Sequence, residues 1–273
     1  MKKNWLKSIW ILLDQIKQKK YLKNLGMLRH NLFVIFAFLF FCNVSFASKL
    51  VIVYTPSMQE PIKKINSLFA NQYRNIEITA IPIIAGAAFE QIKNGYPADI
   101  FISADTMYPK KLIEGGFALE NSYFVYAKGV LALYSNLEKL NKKDCLENVS
   151  KFQGYIGIIN PELGPYGKAT IQALKNSHMI DTVQIRFAQG KDALQVLQFA
   201  QTKSVSMAFL PLSLVINEKS GNYCIVDKKL YLPINQAMVI LRSSKNKNEA
   251  FKYLEFMKSS QAKEILKDYG FEA

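Results

Sequence analysis

Apolar positions along this chain follow two rhythms, and they alternate. Apolar-rich runs of three to six residues, bounded by turn residues, predict strands at 49–54, 76–81, 100–102, 155–159, 185–188, 206–210 and 236–241. Between them apolar residues recur at helical spacing. Ile62, Ile65, Leu68 and Phe69 mark one face over 61–69, and further helices are predicted near 108–114, 168–175, after Asp192 through Phe199, and as a long amphipathic region over 248–269. The segment 125–134 reads as a strand-like crossing, and 137–152 is polar with a short helix at most. Strands alternating with helices predict parallel βαβ units in an α/β, doubly wound architecture.

Two nucleating blocks, around 50–105 and 155–210, predict two lobes joined by two crossing segments near 125–132 and 230–236. The expected division is 48–126 plus 235–273 for the first lobe and 127–234 for the second. Ligands in such folds sit at strand carboxyl ends, where loops meet helix starts. Four such loops stand out: 55–57, 85–87, 165–167 and 190–193. In the second, Ala85, Gly86 and Ala87 bring no bulk, and the following helix points its free N–H groups and positive dipole end into the turn. That is the local chemistry of a small-anion site.

The first 47 residues differ from the rest. A net charge of +14 for 273 residues divides evenly, because eight basic residues stand against Asp14 alone in 1–47 and leave +7 for the remainder. Residues 31–41 form an apolar run behind Arg29 and His30, and Ser45-Phe46-Ala47 places small residues where a signal peptidase reads. This predicts a secretory leader starting naturally at Met27, too short for a spanning helix, and a periplasmic mature protein. The alternative is an uncleaved anchor. Cys42 lies inside the apolar run without lipobox residues before it. Cys145 and Cys224 remain after cleavage, either bridged in an oxidising compartment or as two free buried thiols.

Catalytic chemistry has little to build on. His178 is the one histidine outside the leader, so neither a Ser–His arrangement nor a histidine-rich metal site is assembled from it. Neither phosphate-loop nor dinucleotide glycine fingerprints occur. Asp99 and Asp105 flank a buried strand and are read as capping and turn residues. The basic residues lack an aromatic-interleaved stripe, which argues against nucleic acid. Lys168 and Lys191 flank the anion-type loops and could steer an anion.

Residues 91–105, Gln-Ile-Lys-Asn-Gly-Tyr-Pro-Ala-Asp-Ile-Phe-Ile-Ser-Ala-Asp, closely resemble the periplasmic molybdate-binding protein of ABC transporters. Pro109-Lys110-Lys111-Leu112, Gly164-Pro165-Tyr166-Gly167, Ala188-Gln189-Gly190 and a terminal block ending Tyr269-Gly270-Phe271 follow in order, so the resemblance spans 49–273. It implies a two-lobed periplasmic-binding-protein fold of type II that closes on molybdate or tungstate as a tetrahedral oxyanion. It implies delivery to a membrane permease by a monomer, without enzymatic activity, resident cofactor or directly bound metal. It assigns Ser57 to a hydroxyl donor after the first strand, Ala85 and Gly86 to the second loop, Tyr166 to the Pro-Tyr-Gly tyrosine and Ala193 to a backbone donor. The second loop departs from the family, because its serine falls on Ala85, and Pro56 removes an N–H. The alternatives are therefore a different small anion on the same fold, or an extracytoplasmic interaction module without a ligand.

Overall fold

The computed structural model describes residues 48–273 and, in the N-terminal segment, 10, 11, 13–15, 17 and 18, which are helical. The expected leader cleavage region and Cys42 lie outside the described residues. Residues 47–273 form one compact unit, separate from 1–46.

The unit holds two five-stranded sheets. In the first lobe, β1 (Ser48–Tyr54), α1 (Gln59–Gln72), β2 (Ile76–Pro82), α2 (Ala85–Lys93), β3 (Ile100–Ser103) and α3 (Met107–Glu114) follow in sequence. β4 (Phe124–Gly129) pairs at the sheet edge, and β10 (Ile234–Ile240) returns to lie between β3 and β4, giving the order β2-β1-β3-β10-β4. In the second lobe, β5 (Leu131–Ser135), α4 (Glu147–Lys151), β6 (Ile156–Ile159), α5 (Pro165–Asn176), α6 (Ile180–Val183), β7 (Phe187–Gly190), α7 (Ala193–Gln201), β8 (Met207–Pro211), α8 (Leu212–Val215) and β9 (Asn222–Ile225) build the order β7-β6-β8-β5-β9. α9 (Lys247–Lys258) and α10 (Ser260–Asp268) close the chain and pack on the first lobe.

The sheets are mixed, not purely parallel as the alternation predicts. β1 runs parallel to β2 and β3, and β6 to β7 and β8, as βαβ units require. β10 is antiparallel to β3 and β4, and β5 is antiparallel to β8 and β9. The strands that depart are those next to the crossings. A chain leaving one lobe and re-entering it arrives without a crossover helix, so nothing imposes parallel pairing. The crossing predicted over 125–134 is two strands, one in each sheet, separated by Val130 alone.

β3 shows why the core holds. Ile100 and Ile102 join the apolar layer formed with α1 and α9, while Phe101 points to the other face with α2 and α3. All three are fully buried, each worth about 1.5–3 kcal/mol of transfer free energy. The second lobe has one continuous core, from Leu131 through Phe209 to Val226. Cys145 and Cys224 are bridged with Cα atoms 5.5 Å apart, which tethers β9 to the polar 137–152 region and decides between the two thiol readings. Asp99, predicted as a capping or turn residue, is buried and accepts from the Val51 N–H at 2.8 Å and the Ser244 hydroxyl at 2.6 Å. Asp105 accepts from the Tyr108 N–H at 3.0 Å in the first turn of α3.

Candidate functional site

The carboxyl ends of β1, β2 and β6, and the loop after β7, face one another across the two lobes. Between them lies a cavity of about 40 Å³, some three times the space one water requires. Its lining comes from the four loops singled out in the sequence: 55–57 and 84–85 from the first lobe, 163–166 and 191–193 from the second, with Ala104 and Ile159 at its base. Ser57, Ala85, Tyr166 and Ala193 therefore meet in one hollow. Gly86 stands one residue deeper in α2, and a Cβ there would come 2.9 Å from the Tyr108 hydroxyl.

Three helices begin at this cavity. In α2 the first ladder bond runs from the Ala88 N–H to Ile84 O at 2.9 Å, leaving the N–H groups of Ala85, Gly86 and Ala87 ahead of the ladder. In α5 the ladder starts with the Lys168 N–H on Gly164 O at 3.3 Å. Pro165 has no N–H, so Tyr166 and Gly167 carry the open donors. Residue 167 must be glycine, because a Cβ would collide with the carbonyl of Ile159, and that close approach seats α5 on the end of β6. In α7 the Asp192 carboxylate caps the Gln195 N–H at 2.9 Å, and the Val196 N–H bonds Asp192 O at 3.2 Å. Ala193 and Leu194 are left open. Unpaired N–H groups at helix starts carry the positive dipole end and favour negative charge.

The side chains add a second layer of donors. Thr55 and Ser57 are 4% and 3% exposed, and the hydroxyls of both are buried without a hydrogen-bond partner. Thr55 is the N-cap of a single 3-10 turn, Pro56–Met58, a position where threonine ordinarily caps, yet its side chain accepts nothing. Burying a hydroxyl unpaired costs about 1–3 kcal/mol, so two in one loop mark a place where a partner is expected. Thr55 is the residue that sequence reasoning missed. In the sequence it is marked by position alone, a hydroxyl at the strand's carboxyl end, two positions from Ser57 across a proline.

Tyr166 is buried, and burial pushes its phenol well above the ordinary range, so it stays protonated. Its oxygen accepts from Gln236 Nε2 at 2.8 Å, and the Tyr126 hydroxyl donates to Gln236 Oε1 at 2.8 Å. Gln236 belongs to the first lobe and Tyr166 to the second, so this bond joins the two lobes. A Cβ at Gly129, the last residue of β4, would collide with the Tyr166 hydroxyl. Since the oxygen is already an acceptor, the Tyr166 proton remains to be donated. Lys191 lines the cavity and Lys168 an adjoining hollow shared with Asp105. Burial raises the Asp105 carboxyl above its usual range, opposed by hydrogen bonds from the Tyr108 and Met107 N–H groups and by the Lys168 charge.

The model of the bacterial extracellular solute-binding protein family matches residues 50–272. A molybdate-binding protein ModA from Rhodobacter capsulatus is 30% identical over 226 residues, covering 82% of this chain and 88% of the relative. The chain belongs to this ModA-like family of solute-binding proteins. The periplasmic molybdate-binding protein of Azotobacter vinelandii has the same fold, with a TM-score of 0.77 at 28% identity over 82% of this chain and 99% of that one. The substrate-binding domain of a putative molybdenum ABC transporter from Clostridium difficile matches with a TM-score of 0.66 at 25% identity, over 82% and 98%. Both support the two-lobed periplasmic-binding-protein architecture described above, a substrate-binding transporter component.

Proposed function

We propose that this chain captures molybdate or tungstate outside the cytoplasm and presents it to an ABC importer. The observation that carries the reading is the composition of one small cavity: unpartnered hydroxyls of Thr55 and Ser57 beside the open N–H groups of three helix starts. Every one of those N–H groups is a donor only, and the hydroxyls donate as readily as they accept. A cavity of about 40 Å³ suits a compact oxyanion better than an organic acid of several carbons. The names of the relatives point the same way.

In this reading Ser57, Ala85, Gly86, Tyr166 and Ala193 are the ligand-binding residues. Hydroxyl and N–H dipoles hold the anion as a whole, with no direct bond from protein to metal, and Lys191 adds charge that draws the anion in. The two lobes, which part at Val130 and again just before Ile234 rather than at 126/127 and 234/235, move against each other, and closure completes the cage. Residues 1–47 act as the leader that takes the chain to the periplasm. The partner is the permease of the importer, and the protein works as a monomer without catalysing a reaction.

The test is calorimetric titration of the mature protein with molybdate, tungstate, sulfate and phosphate. Heat with the first two at tighter affinity than with the others is expected. Binding of sulfate or phosphate alone would move the chain to a different anion, the reading that the hydroxyl-free loop 84–88 favours. No binding to any of the four would leave an interaction module.

A further inference from the structure

The loop from Ile84 to Ala88 contains no hydroxyl, so α2 offers the cavity only main-chain donors. The opposite side of the same lobe has one side-chain donor more than the sequence reading used. We propose that Thr55 is a second side-chain ligand of the anion, acting through its hydroxyl alongside Ser57. The proposal rests on the anion-binding reading above and adds a residue to it.

Four observations support this role for the hydroxyl. Thr55 lines the cavity. It is 4% exposed, and its Oγ1 has no hydrogen-bond partner. Its main chain is fully committed elsewhere, the N–H to Ile102 O at 3.0 Å and the carbonyl to the Met58 N–H at 2.9 Å, so the backbone is pinned and the side chain has one task left. It occupies an N-cap without capping. The last point decides between a structural and a ligand role. A threonine kept for local structure would satisfy its hydroxyl on the N–H groups two or three residues ahead. Here no such cap bond forms, and the Thr55 hydroxyl is left free. Pro56 explains the geometry: lacking an N–H and with φ fixed, it drives the chain straight into the 3-10 turn and leaves residues 55 and 57 flanking it on the cavity wall.

The experiment is calorimetric titration of molybdate into wild type, Thr55→Val, Thr55→Ser and Ser57→Ala. Valine keeps the branched shape and removes the oxygen, whereas serine keeps the oxygen and removes the methyl. Loss of a hydrogen bond to a charged partner corresponds to about ten- to a hundredfold in affinity. Thr55→Val is expected to weaken binding by about that factor, with Thr55→Ser within about threefold of wild type. Should valine prevent folding, Thr55→Ala against Thr55→Ser decides on the same hydroxyl. Wild-type affinity in Thr55→Val while Ser57→Ala weakens overturns the proposal and leaves the anion site standing. Equal weakening in Thr55→Ser and Thr55→Val overturns it too, because the methyl is then what matters. A wild-type protein that binds none of molybdate, tungstate, sulfate or phosphate overturns the underlying reading before any variant is compared.

Discussion

The Ser213 hydroxyl donates to the main-chain carbonyl of Ser57 at 2.7 Å, joining residues 156 positions apart. Ser57 stands on the cavity wall of the first lobe, and Ser213 on α8 of the second. Ser213 is buried at this contact. The bond therefore belongs to the arrangement in which the lobes meet, and it ends on a residue that also faces the cavity.

Removing this tie weakens ligand retention without touching the cavity's donors. In Ser213→Ala the Ser57 carbonyl loses a neutral hydrogen bond worth about 0.5–1.5 kcal/mol, or roughly two- to tenfold in affinity. Because the bond exists only with the lobes together, the change is expected mainly in the dissociation rate. Stopped-flow release of molybdate, followed by tyrosine fluorescence because both tryptophans lie within residues 1–47, measures it. An unchanged rate with intact folding would show that Ser213 does not hold the lobes.

Asp105 gives a pH dependence whose sign follows from burial. Its carboxyl is raised in the folded protein, so between the unfolded and folded values the native state binds more protons than the unfolded chain. Stability therefore falls as pH rises through that window, and the loss persists at neutral pH. Asp105→Asn removes the charge and keeps an oxygen to accept from the Tyr108 N–H. It is expected to raise the melting temperature at pH 7, with the gain shrinking as the pH falls below the carboxylate range. The same change removes a negative charge from the hollow that shares Leu163, Gly164 and Pro165 with the cavity, so anion affinity should rise. Melting curves from pH 3 to pH 8 for both proteins check the first effect. A variant less stable than wild type at pH 7 would contradict it.

Much of this was legible in the residue pattern, for physical reasons that differ from element to element. Runs such as 100–102 are buried on both faces and read as strands by composition alone. The four loops were found because small residues, prolines and glycines at strand ends announce helix starts. What escaped has causes as specific. β9 (Asn222–Ile225) is a short edge strand whose pairing with β5 is not visible in its own residues. The helical region 248–269 divides at Ser259, whose hydroxyl caps the Ala262 N–H at 3.2 Å and starts α10. Helix α5 begins at Pro165, three residues before the predicted start, because a proline is well placed in a first turn. The strand 185–188 begins two residues later than predicted, since 184–186 form a 3-10 turn held near Arg186 and the carbonyls of Val149 and Phe152. Thr55 was passed over because a threonine before Pro-Ser reads as a turn residue, and only three-dimensional packing reveals an unpaired hydroxyl. Gln236 has no local signature at all; its role depends on two tyrosines 70 and 110 residues away.

That Tyr126–Gln236–Tyr166 chain supplies the last prediction, because it ties a cavity residue of the second lobe to the first. Gln236 is fully buried, and its amide is held on both sides, its oxygen by Tyr126 and its nitrogen by Tyr166. Tyr166→Phe takes away the acceptor for Nε2 and leaves that group unsatisfied, which costs about 1–3 kcal/mol. It also removes the Tyr166 phenolic proton, which is free to point at an anion. The two losses separate by experiment. If Tyr166 only braces the hinge, Tyr166→Phe lowers the melting temperature of the ligand-free protein and leaves molybdate affinity within a few fold. If its proton reaches the anion, affinity falls by a further factor of about ten or more. Gln236→Leu acts as the control, since it removes the amide while leaving the Tyr166 proton in place. Affinity retained in Gln236→Leu and lost in Tyr166→Phe would assign the tyrosine to the ligand, and equal losses in both would assign it to the hinge.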